Sequence, residues 1–74
     1  MTEIEKTHDK QHGVWIYDAG SQRAIIYKIG DRWAVKAGKR RPGMIAPESE
    51  SFETFGLRKF AQAHAEGWLN GGRR

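Results

Sequence analysis

The side chains best equipped for chemistry in this 74-residue chain are cations, and they are concentrated in its middle. Between Gly13 and Ala46 stand Arg23, Lys28, Arg32, Lys36, Lys39, Arg40 and Arg41, opposed only by Asp18 and Asp31. The flanking segments are close to neutral, so the net charge of +4 belongs to this central region. Guanidinium and ammonium groups neutralise phosphates, and aromatic rings among them can stack on bases. Trp15 and Tyr17, just ahead of the basic run, supply such rings. The candidate interface is therefore Trp15, Tyr17, Lys28, Arg32, Lys36, Lys39, Arg40 and Arg41.

Catalytic patterns are weak by comparison. His8 and His12 stand four apart with Asp9 between them, a spacing that would place both imidazoles on one side of a helix, yet nothing nearby completes a metal site. His64 falls on an apolar stripe, where a hydrogen-bonded structural histidine is the ordinary outcome. Glu48, Glu50 and Glu53 precede a predicted helix and suit the positive end of its dipole. Gly20, Gly30, Gly38 and Gly43 are spread one to a turn, and none forms a phosphate loop opening a helix behind a strand. With 0 Cys, disulfides and thiolate metal ligands are excluded. A non-enzymatic protein without cofactor or metal is expected.

The elements that must position the cations are short. Residues 1–12 show no apolar period and read as a flexible arm, polar enough that neither a signal peptide nor a membrane span is expected. Residues 13–70 form one small domain, and 71–74 a basic tail. Val14–Tyr17, Ala24–Ile29 and Arg32–Lys36 are rich in β-branched and aromatic residues, and Asp18-Ala19-Gly20-Ser21 and Gly30-Asp31 are tight-turn sequences between them. In the third run Trp33 and Val35 point one way and Arg32, Ala34 and Lys36 the other. In the first run Val14 and Ile16 oppose Trp15 and Tyr17, and Arg23 joins the latter pair as a surface residue.

Lys39–Gly43 is a basic turn, Met44–Ala46 offers a short fourth strand, and Pro47–Ser51 reads as an acidic lead into a helix capped by Ser51 or Thr54. From Phe55 to Leu69 apolar residues recur at three- and four-residue intervals, and Asn70-Gly71-Gly72 stops the helix. Phe60 and Trp68 are its expected core aromatics, with Trp33 opposite them. The fold class is α+β: an antiparallel β-meander of three strands, or four with Met44–Ala46, packed against one C-terminal α-helix. A core this small makes a homodimer a natural means of support.

Over residues 24–66 the chain resembles the plant apetala-type DNA-binding domain and the arm-binding domains of tyrosine integrases. The resemblance is carried by Arg32-Trp33-Ala34-Val35, the Lys39-Arg40-Arg41 turn, and Phe52-Glu53-Thr54 before an alanine-bearing helix, and it departs from the pattern at Gly56. It implies a three-stranded sheet that reads the major groove, with Arg32, Lys36, Arg40 and Arg41 toward DNA. The expected function is thus a small cytoplasmic nucleic-acid-binding protein, DNA being the favoured ligand. The alternative is a protein-binding module, such as a small phage-type inhibitor docking on a host complex.

Overall fold

The computed structural model describes residues 3–72 and shows an α+β fold with five strands. These are β1 (Glu5–Asp9), β2 (Val14–Ala19), β3 (Gln22–Ile29), β4 (Arg32–Lys39) and β5 (Glu48–Phe55). They lie in sequence order in one antiparallel sheet. A helix, α1 (Arg58–Gly67), follows, and a wider π-type turn over Trp68–Gly72 ends it. The expected meander is present, but with two further strands. Arg73 and Arg74 of the expected basic tail lie outside the described residues, as do Met1 and Thr2.

The central hairpins form for the reasons visible in their residues. Gly20 and Gly30 each take positive φ, 63° and 59°, at the first position of a two-residue turn, the backbone twist that a tight hairpin requires. The strands that escaped prediction are the two edges. Part of the expected arm, Glu5–Asp9, pairs with β2, Thr7 opposite Ile16 and His8 opposite Trp15. The expected acidic lead into the helix is β5, with Lys36 opposite Phe52 and Trp33 opposite Phe55. Met44–Ala46 forms no strand; it belongs to the loop that leads from β4 to β5.

Between the pairs Ala37–Ser51 and Gly38–Ser49 the register slips by one residue, leaving Glu50 as a bulge. A side chain at Gly38 has no room there, because a Cβ would lie 1.6 Å from the Glu48 carbonyl oxygen. Leu57, in extended conformation, precedes α1 without any side-chain cap, since Ser51 and Thr54 are both committed to β5.

One sheet face carries α1. Its core contains Tyr17, Ala24, Ile26, Val35 and Ala37 from the sheet, with Ala61, Ala65, Trp68 and Leu69 from the helix and its terminal turn. Four of these are alanines with no exposed surface, Ala24 and Ala37 on the sheet and Ala61 and Ala65 on the helix. Small side chains on both partners let the helix backbone approach the sheet closely, while Trp68 and Leu69 fill the wider space at the end of α1. Phe60, expected beside Trp68, is instead 52% exposed.

The opposite face has a smaller cluster, Val14, Ile16 and Ile25, with Tyr27, Ile45 and Ala46 packed against it. The loop after β4 folds back over this face, so β2 is buried on both sides. Arg23 fastens the loop. It donates to the carbonyl oxygens of Met44 and Ile45, each at 3.1 Å, and its Nε and second terminal nitrogen reach Asp18 at 2.6 and 3.1 Å.

Candidate nucleic-acid interface

Strand alternation divides the predicted interface residues between two surfaces. Arg32 and Lys36 share the loop side of the sheet with Ala34, while Lys28 and Trp15 share the helix side with Trp33. Tyr17 belongs to neither surface. It is 3% exposed, in the core beneath α1, and cannot meet a partner. Arg23 is likewise an internal clamp and not a surface contact. Both errors have one cause: β2 is apolar on each face, and only the fold-back of the Met44–Ala46 loop decides what covers Val14 and Ile16.

On the loop side, Arg32 is exposed and oriented by Thr54, donating from Nε to Oγ1 and from a terminal nitrogen to the carbonyl, both at 3.1 Å. Lys36 is half-buried and lies between Ile25 and Phe52 in register. At the end of the sheet, Arg40 is held in place: its N–H donates to the Ser21 carbonyl at 2.8 Å and its Nε lies 3.8 Å from Asp18. Lys39 and Arg41 flank it, exposed. An open groove runs past this turn, lined by Ser21, Arg23, Arg40, Arg41, Met44 and Ile45 among others. Asp18, the carboxylate nearest the groove's arginines, already faces two guanidinium groups.

The same face is not purely cationic. Phe52 is 49% exposed and Met44 51%, so apolar surface interrupts the positive charge. Sequence reasoning missed Phe52, because Pro47–Ser51 reads as a helix approach and gives no strand face to place it on.

On the helix side, Trp15 and Trp33 are half-buried and meet edge-on, ring centroids 5.7 Å apart at 65°. His8 lies flat on Trp15, with centroids 4.2 Å apart and planes 6° from parallel. The Arg58 guanidinium sits 5.1 Å from the Trp15 ring centre and 5.9 Å from that of Trp33, and Lys28 Nζ lies 5.4 Å from Trp33. Arg58 and His8 were not legible as interface residues, since their contacts join the first strand, the sheet and the helix start.

The histidine pair forms no joint site. His8 stacks on Trp15, while His12 turns to Asp9, its Nδ1 3.0 Å from Oδ2. That side-chain hydrogen bond, more than any other effect, holds the Asp9 carboxyl below its usual value. Among the described residues no three His, Cys, Asp or Glu side chains come together as a metal site, and no helix is long and apolar enough to cross a membrane. Set against protein-family models, curated proteins and solved structures, the chain matches none.

Proposed function

We propose that this chain is a small non-enzymatic binding protein whose loop-side sheet face and basic turn engage nucleic acid, with duplex DNA as the ligand and the cytoplasm as its compartment. The observation that carries the reading is Arg32 and Lys36 on the loop side of the sheet, with Arg40 and Arg41 lining the groove beyond the end of β4. Among the described residues only Arg40 of these four lies within ion-pair distance of a carboxylate, Asp18, which Arg23 also holds. Cations left uncompensated on one face create a positive field that attracts a polyanion and releases its counterions. Arg32, held by Thr54, is pre-oriented for such contact, and Lys39 and Arg41 extend the field around the end of β4.

A second reading rests on Phe52 and Met44, whose exposure on this face fits a protein partner better than a phosphate backbone. Salt dependence separates the two. A fluorescent DNA duplex titrated across a salt series should bind with a steep slope. Lys39→Ala combined with Arg41→Ala should flatten that slope by roughly one to two units, about one for each phosphate no longer neutralised. Arg40 is kept in this variant because it holds the turn. Absence of binding at low salt would turn the assignment to a protein partner.

A further inference from the structure

The helix-side cluster at the opposite end of the sheet from the basic turn is a site in its own right. Two half-buried indoles, Trp15 and Trp33, lie under two cations, Arg58 and Lys28. Among the described residues neither cation has a carboxylate within ion-pair distance, whereas Lys6 and Arg23 each do. Core packing accounts for buried parts of the indoles but not for the exposed rings and charges above them. The His8 imidazole is the informative group. It is exposed, it comes from an edge strand, and it lies on Trp15 at the separation and angle of a stacked base. The indole therefore presents a flat face that a heteroaromatic ring can occupy.

Flat aromatic faces flanked by cations are the features that hold a single strand, whose unpaired bases stack on rings while its phosphates meet lysine and arginine. A duplex keeps its base faces inside its own stack and cannot use such a platform. We propose that Trp15 and Trp33, with Arg58 and Lys28, bind single-stranded nucleic acid. An unpaired base takes the position over Trp15 that His8 fills in the free protein, and Arg58 and Lys28 meet the adjoining phosphates. This site uses the other face of the sheet and does not rest on the loop-side reading.

The test is titration of the full chain with a single-stranded oligothymidine and, separately, with a hairpin duplex, followed by tryptophan fluorescence. Trp68 is 7% exposed and should contribute a constant background, so quenching reports on Trp15 and Trp33. Oligothymidine should quench, and Lys28→Gln with Arg58→Gln, both at exposed positions, should weaken its binding at least about tenfold. His8→Ala, which empties the stacking position, should bind at least as tightly as the wild type. No quenching at low salt, or quenching with affinity unchanged in the double variant, overturns the proposal. Loss of single-strand binding in the Lys39/Arg41 variant alone would also overturn it, by assigning that binding to the basic turn. Oligothymidine quenching together with no binding of the fluorescent duplex would sink the loop-side reading and leave this one standing.

Discussion

Arg23 and Asp18 face one another across β2 and β3, and the guanidinium grips both carboxylate oxygens while its remaining nitrogen holds the Met44 and Ile45 carbonyls. One side chain thus joins the central hairpin to the loop that covers its second face. The pair is mostly out of water, with side-chain exposures of 13% and 14%, so its hydrogen bonds cannot be replaced freely by solvent. Arg23→Ala should cost about 2 to 3 kcal/mol in urea unfolding, since it removes both hydrogen bonds to the carboxylate, leaving it only Arg40 at 3.8 Å, and strands two carbonyls. Arg23→Lys should recover less than half of that, because one ammonium cannot span the carboxylate and the loop together. Full recovery by lysine would show that charge alone, and not the planar fork, holds the loop.

Gly38 sits where β5 changes register. A Cβ there would meet the Glu48 carbonyl oxygen at 1.6 Å and its carbon at 2.7 Å, both backbone atoms that cannot rotate away. Gly38→Ala should therefore push the start of β5 off β4 and cost roughly 3 kcal/mol. Hydrogen exchange should locate the damage in the amides of Glu48 to Ser51, with β2 and β3 less affected. Uniform loss of protection across the sheet would mean that β5 is not a separable edge.

The central strands were legible because β-branched and aromatic runs alternate with two-residue glycine turns, so local chemistry and final structure agree. The edges were not. β1 reads Glu5-Lys6-Thr7-His8-Asp9 and has no apolar face; its contacts come from other elements, with Lys6 2.8 Å from Glu66 of α1 and His8 stacked on Trp15. β5 is built of serine, glutamate and threonine around two phenylalanines, a composition that equally suits a helix start. An edge strand tolerates those charges, and they discourage pairing with another sheet. The basic residues of the site were legible individually, but their grouping was not. That grouping depends on which face the helix covers, and the sequence of β2, apolar on both sides, leaves the choice to the loop.

Asp9 and His12 supply a pH-dependent contact at the β1–β2 turn. The hydrogen bond from the His12 ring lowers the Asp9 pKa from its ordinary 3.8, and the His12 backbone N–H, 3.2 Å from Oδ1, adds to it. A carboxyl whose pKa is lowered by folding stabilises the fold above its unfolded value. That contribution disappears as the pH falls through the folded value. In an NMR titration of the Asp9 carboxyl carbon, the midpoint should lie below 3.8 and move up toward it in His12→Ala. A midpoint indifferent to the substitution would mean that the side-chain contact does not persist in solution.

Phe60 and Trp68 read alike in sequence, two aromatics on one apolar stripe, and the fold separates them. Ala61 and Ala65 set the buried line of α1, and Phe60, one residue before Ala61, is rotated about 100° away from it around the helix. Trp68 returns to the core through the π-type turn and is 7% exposed, against 52% for Phe60. Trp68→Ala should cost about 3 to 5 kcal/mol, enough to unfold much of a chain this small. Phe60→Ala should cost less than about 1 kcal/mol. Denaturant midpoints of the two variants decide the matter: equal losses would mean that α1 is rotated on the sheet from the orientation described, and would place Phe60 in the core instead of at its margin.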